Sequence, residues 1–324
     1  SHRLPIINQI DSPFGAGWGI SGYERLHINP DGNILLSDGV RKSIFKQSWS
    51  VQPAITGLRS PRGIVINSQS KVFVADYSEG SIFTIDSSSN INLFAKIGTS
   101  IKGLAIDKSD NIYAVSERSR SIVKITPSGE IAPYAAIPSG IDHMDDMVFD
   151  NAGNLYVLDG GFGILHKITP AGQINIFVGM GSFTNPMSLA VDKDDNIYVS
   201  NNNNPMGRAD CGVSWISKID PAGNISTYQS GLNAPRGISF DNTGNLYVVD
   251  ATCDGRMAHY IYRVTPQGIK EKVSDRSVGG TSSNYYSSFG LAFDIAMNSN
   301  GDIYIASTDT GAIFIMNPST KTYI

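Results

Sequence analysis

The chain has 324 residues, 41% of them hydrophobic and 17% charged, with a formal net charge of −4 at neutral pH. That apolar content supplies a large core and excludes a disordered chain. Both signs of charge are scattered and no basic run occurs, which argues against nucleic acid and an anionic membrane surface as partners. No apolar stretch approaches the length of a membrane span, so no membrane insertion is expected of this chain.

The N-terminal part differs from the rest. Leu4–Ile10 is a short apolar run fit for a strand, followed by the Gly-rich, aromatic turn Ser12-Pro13-Phe14-Gly15-Ala16-Gly17-Trp18-Gly19-Ile20. Tyr23–Ile28 and Ile34–Ser37 flank Asn29-Pro30-Asp31-Gly32, a hairpin signal with Pro and Gly in turn positions. Residues 1–58 are therefore read as a short hairpin segment and residues 59–324 as the main domain.

From Arg59 onward one cassette recurs about every 40 residues, the mark of a repeat architecture. Strand a follows a Pro-x-Gly or similar turn and ends in Asp or Asn, as in Gly63–Asn67, Gly103–Asp107, Gly237–Asp241 and Gly290–Asp294. A polar turn leads to strand b, rich in Val, Ile, Leu and Tyr: Lys71–Asp76, Asn111–Ser116, Asn154–Asp159, Asn196–Ser200, Asn245–Asp250 and Asp302–Ser307. Such strands suit a centrally placed, doubly covered position. Strand c alternates and usually ends in Pro-x-Gly before a looser strand d. No stretch carries a helical period over a dozen residues. Four strands repeated without helices predict an all-β, six-bladed β-propeller, with seven blades as the alternative if Gly32–Asp38 belongs to a degenerate blade. The last blade then needs an outer strand, supplied by Lys321–Ile324 or by an early segment.

The cassette "APRGISFDNTGNLYVVD…IYRVTPQG" resembles the NHL repeat over about residues 59–324. The segment "SPFGAGWGISGYERLHINPDGNILLSDG" resembles the lead-in that precedes the shell in RHS/YD-repeat proteins, teneurins among them. This resemblance implies a piece of a larger secreted or cell-surface protein, extracellular in location.

Candidate functional residues fall in two groups. The b–c and d–a connections share one face of such a propeller, and three of them are long: Asn201–Ser214, Ala251–His259 and Ser274–Ser288. Long loops on a rigid scaffold carry function. Asn202, Asn203, Arg208, Asp210, Asp254, Arg256, Tyr285 and Tyr286 lie in them and suit a polar contact with protein or glycan. Cys211 and Cys253 sit at matched places in neighbouring loops, and a disulfide between them is expected. The second group is the pore mouth, set by the residue before each strand-a glycine: Arg62, Lys102, Asp145, Met187, Arg236 and Phe289, with His143 alongside. Three cations and one acid there leave an anionic ligand open. His143 with its acidic neighbours is an incomplete metal set, so no metal, no other cofactor and no catalytic residue is expected. The recurring Asp76, Asp159 and Asp250 read as turn-capping acceptors.

The sequence thus predicts a non-enzymatic RHS/teneurin-like interaction module, an adhesion-type domain. Its partner is a protein or glycan, or the shell of its own parent chain. The alternative is an NHL-type propeller enzyme, a lyase or lactonase, with a metal at the central pore.

Overall fold

The computed structural model describes strands at residues 23–28, 34–38, 43–47 and 55–56, and residues 57–323 apart from 87–89, 99, 117–120, 137–142, 204–212, 252–258, 274–291, 308–311 and 319–321. The chain divides into two compact units, Ser1–Ser50 and Val51–Ile324. In the first, Tyr23–Ile28, Ile34–Asp38 and Ser43–Gln47 form an antiparallel three-stranded sheet.

The second unit is a six-bladed β-propeller, and no helix occurs among its described residues. Blade 1 consists of Pro61–Ile66, Val72–Asp76, Ser81–Ile85 and Ile91–Lys96, paired in that order. The inner strands of blades 2 to 6 are Ile101–Ile106, Met144–Phe149, Pro186–Val191, Pro235–Phe240 and Ala292–Met297. In blade 6, two short strands share the outer edge of Ala312–Asn317. Thr322–Tyr323 pairs with Met316 and Asn317, while Ile55–Thr56 pairs with Ala312 and Ile313. Both expected closing segments are thus used, and they cap an edge that would otherwise be open.

The core is built at the blade interfaces. Six buried clusters each join residues of two adjacent blades. Leu58, Ile64, Val72, Val74 and Ile85 of blade 1 pack with Ala296, Ala306 and Ile313 of blade 6, which closes the ring. A four-stranded sheet cannot cover its own faces, so each blade depends on its neighbours.

Two devices explain why this sequence repeats. The a–b turn of blade 4 is clamped by Asp192. Its Oδ1 accepts from the amides of Asp194 and Asn196, and its Oδ2 from Asn196 Nδ2 and Tyr198 Oη. Asp107 with Asn111 and Tyr113, and Asp150 with Asn154 and Tyr156, repeat the clamp. The clamped tyrosines then make edge contacts between blades: Tyr113 with Phe149, and Tyr198 with Phe240.

The second device is a register shift in every inner strand, where it leaves the pore-mouth end of strand b. The shifts fall between Pro61 and Ile64, Met144 and Asp146, Pro186 and Leu189, Pro235 and Ile238, and Ala292 and Asp294. In blade 2 the shift falls between Ile101 and Leu104, opposite Ser116 and Ala114. Such bulges bend a strand and re-aim its side chains. Here they fall on the residues that surround the pore.

Candidate functional site at the pore mouth

The inner strands converge so closely that three blades require glycine. A Cβ on Gly63 would lie 2.7 Å from the Lys102 carbonyl oxygen, and one on Gly237 would lie 2.7 Å from Asp294 Cα. The same restriction holds at Gly103 against Asp146. At the equivalent position the other three blades carry Asp146, Ser188 and Asp294. Their side chains latch the next blade around. Asp146 Oδ2 accepts from Leu189 N (2.7 Å) and Ser188 Oγ (2.9 Å), and Asp294 Oδ2 accepts from Ile64 N (3.0 Å). Asp146 and Asp294 belong to blades 3 and 6, opposite each other in the ring.

Above this ring lies a small pocket open to solvent, lined by Arg62, Gly63, Lys102, Asp145, Asp146, Met187, Ser188 and Asp294. Lys102 Nζ is 3.1 Å from Asp145 Oδ1, an ion pair largely withdrawn from solvent. The Arg62 guanidinium stacks 3.9 Å from the centroid of the Tyr77 ring. Asp145 is seated against bare backbone, because a Cβ on Gly160 would lie 1.8 Å from its Oδ2.

The two ring carboxyls are electrostatically abnormal. Burial pushes Asp146 up to about 7, against the lowering effect of hydrogen bonds from Leu189, Met147 and Ser188, with Asp145 adding repulsion. Burial also raises Asp294 well above the usual carboxylate range, and the charge of Asp146 adds to it. Asp146 receives three protein donors, and Asp294 receives two, from Ile64 and Ile295. The larger number of donors favours the charged form of Asp146 over that of Asp294.

The structure brings the expected mouth residues Arg62, Lys102, Asp145 and Met187 into one pocket. Arg236 takes the corresponding place in blade 5, half-buried, with its carbonyl accepting from Ser200 Oγ. His143 is exposed, its ring against Gly161 and its carbonyl accepting from Gly160 N. Phe289 lies outside the described residues, but its expected role is corrected. The pairing of Ile295 with Ile305 matches that of Ile64 with Val74, so the mouth place in blade 6 is Phe293 and the ring place is Asp294. Gly290 imitates the glycine of the other cassettes and hid this offset. The readable signal was the end of strand a: Asn67, Asp107, Asp150, Asp192, Asp241 and Asn298 each stand four residues after the ring position.

Of the loop group, Asn202 is buried, its amide donating to the Asn185 carbonyl, and Asn203 is exposed, its amide donating to Ser214 Oγ. Arg208, Asp210, Asp254, Arg256, Tyr285, Tyr286, Cys211 and Cys253 lie outside the described residues. Asp76 and Asp250 accept from the amides preceding strand a, Asp76 from Arg59 and Ser60, and Asp250 from Asn233 and Ala234.

A resident divalent cation does not fit this donor set. Among the described residues no three His, Cys, Asp or Glu side chains are grouped to hold an ion. The carboxylates at the pore accept from backbone amides, and Lys102 is already bound to Asp145.

No family model and no curated protein sequence matches this chain. Solved structures do. Virginiamycin B lyase from Staphylococcus aureus is 16% identical over 82% of this chain and 83% of its own, with a TM-score of 0.57. A gluconolactonase from Xanthomonas campestris is 12% identical over 88% of this chain and 89% of its own, with a TM-score of 0.63. A chain of a nidogen/laminin complex is 17% identical over 76% of this chain and 89% of its own, with a TM-score of 0.61. These likenesses show the fold, a six-bladed β-propeller. The expectation of a non-enzymatic RHS/teneurin-like adhesion module is corrected by these likenesses: lyase and lactonase propellers recur among them, and the teneurin assignment gains no support.

Proposed function

We propose that this propeller is an enzyme that opens a cyclic ester by general acid–base catalysis at its pore mouth. The observation that carries the reading is the placement of Asp146 and Asp294 in the lining of one pocket, with burial raising Asp146 to about 7 and Asp294 well above the usual carboxylate range. A base poised near the working pH combines availability with proton affinity. In this reading Asp146 takes a proton from the attacking water. The Lys102 ammonium and Arg62 guanidinium stabilise the oxyanion that develops on the carbonyl. The Asp294 carboxyl returns a proton to the departing alkoxide, leaving a hydroxy acid. Lyase and lactonase neighbours support an ester-opening chemistry, and the donor set supports a route through side chains. The Gly-Trp segment at residues 12–38 supports placing the domain in a larger extracellular protein.

The test is a panel of aldonolactones and alkyl lactones, followed by proton release and by product mass, in the presence of a chelator. Hydrolysis adds one water to the mass, whereas elimination leaves it unchanged. Turnover that persists in chelator and disappears in Asp146→Asn is expected. Turnover that needs an added divalent cation, or that survives Asp146→Asn unchanged, overturns the assignment.

A further inference from the structure

The residue that follows strand b meets the mouth residue of its own blade. Its amide bonds back to the carbonyl three residues before the ring position: Tyr77 N to Ser60 O (2.9 Å) in blade 1, Gly160 N to His143 O (2.8 Å) in blade 3, and Asn202 N to Asn185 O (3.3 Å) in blade 4. The three positions are therefore equivalent. In blade 1 the Tyr77 ring lies against the mouth cation Arg62, with the guanidinium carbon 3.9 Å from the ring centroid. In blade 3 the same place is bare, and the carboxylate of the mouth residue Asp145 fills the space that a side chain would take. Gly160 does not adopt a left-handed φ, so space alone demands glycine there. Asp145, seated in this way, pairs with Lys102 of blade 2 at 3.1 Å, the two side chains being 25% and 14% exposed.

The pair bears on the charge that the pocket accepts. A carboxylate arriving at Lys102 meets Asp145 on the same ammonium and Asp146 in the same lining. Like charges in a partly dehydrated site repel one another. A neutral carbonyl meets no such repulsion. An ammonium has three N–H donors, so Lys102 can hold Asp145 and polarise a carbonyl oxygen together.

We propose that Asp145 is a specificity-determining counter-ion. It makes the mouth select uncharged lactones and reject anions, among them the hydroxy acid that ring opening forms, so the product is expelled by the charge it acquires. The inference rests on the pore-mouth reading for the identity of the substrate. Selection by charge is independent of it. Gly160 is a positioning residue that acts through Asp145.

The experiment separates the two claims. Binding is measured by calorimetry at neutral pH with γ-butyrolactam, a neutral ring that resists hydrolysis, and with 4-hydroxybutanoate, the matching open anion. The proteins are the wild type, Asp145→Asn and Gly160→Ala, with melting temperatures taken in parallel. The wild type is expected to favour the lactam. Asp145→Asn keeps the volume and removes the charge. It should tighten hydroxybutanoate binding at least ~10-fold and change lactam binding by less than about twofold. Gly160→Ala keeps every charge and should shift the selectivity in the same direction by displacing the carboxylate. If that variant fails to fold, Asp145→Asn decides alone. A wild type that binds the anion as tightly as the lactam, or unchanged selectivity in Asp145→Asn, overturns the proposal. Absence of binding in all three proteins does the same. Wild-type selectivity in a folded Gly160→Ala overturns the seating role of the glycine. Selection by charge without hydrolysis of any lactone overturns the catalytic reading and leaves the counter-ion standing.

Discussion

The two rims of the propeller use the same residue type to opposite ends. On the rim of a–b turns, Asp107, Asp192 and Asp241 are held below the ordinary carboxylate range. Burial raises each one, and hydrogen bonds from the following Asn, the turn amides and the clamped hydroxyl outweigh it. At the pore mouth, burial prevails, and Asp146 and Asp294 are driven upward. The rim carboxylates repeat from blade to blade and the mouth carboxyls replace glycine in two blades only. Repetition marks what every blade needs in order to fold, and departure from it marks the site to which the proposed chemistry is assigned.

The sharpest way to break this contrast is Asp146→Asn, which keeps an oxygen for Leu189 N and Ser188 Oγ but cannot carry a proton. Loss of a general base typically lowers a rate by 10²–10⁴-fold, and a drop of on the order of 10³-fold in kcat is expected. The melting temperature should move by only a few degrees. The conserved fold with lost turnover is read by calorimetry and the lactone assay together. A variant that unfolds without losing specific activity would make Asp146 a latch and nothing more.

The converse variant, Asp192→Ala, removes the acceptor for four donor groups and strands the buried Tyr198 hydroxyl. A loss of about 2–4 kcal/mol in unfolding free energy is expected, with mouth chemistry intact in the folded fraction. Denaturant midpoints for the variant and wild type measure it.

Much of the first rim was legible in the sequence and little of the second. The spacing from Asp192 to Asn196 to Tyr198 is local, so a turn and its clamp can be read within seven residues. Strand b and strand c ends were readable for the same reason, and the closing strands were named as alternatives because both lie at chain positions that must meet. The acid pair was not legible. Asp146 and Asp294 are 148 residues apart and meet only through ring closure. The bulge that seats Asp294 is a backbone event with no residue signature, and Gly290 offered a false register.

The rims also predict opposite responses to pH. A folded-state pKa above the unfolded value of about 3.8 means that the folded chain keeps a proton the unfolded chain has released. The mouth pair is therefore most favourable at low pH, and its contribution is lost as pH rises from about 4 to 7. The rim clamps, with lowered pKa values, contribute above about 3.8 and lose their contribution as pH falls below it. Asp294→Asn removes one titrating group with a raised folded-state pKa. The fall in stability with rising pH should become shallower, whatever constant offset the substitution brings. Urea titrations at several pH values give the slope, and an unchanged slope would show that the pair does not titrate in this range.

The smallest effect tests whether the rim is tied across blades as well as within them. The fourth turn position has positive φ throughout: Gly153, Gly244 and Gly301 in three blades, but Ser70, Asp110 and Asp195 in the others, each with φ of 61°. An L-residue there costs roughly 1–2 kcal/mol, less for Asp, and glycine avoids the strain. Asp195 offsets it by accepting from Asn151 N of the preceding blade at 2.7 Å. Asp110 does the same for Ser68, through both its amide and its hydroxyl. Asp195→Gly relieves strain, loses one exposed hydrogen bond and raises unfolded-state entropy, so the net change should lie within about 0.5 kcal/mol. Asp195→Ala loses the bond and keeps the strain, and should cost about 1–2 kcal/mol. Equal effects of Gly and Ala at this position would mean that the strain is negligible, and the aspartates would then be surface variation, outside the scaffold that the repeat preserves.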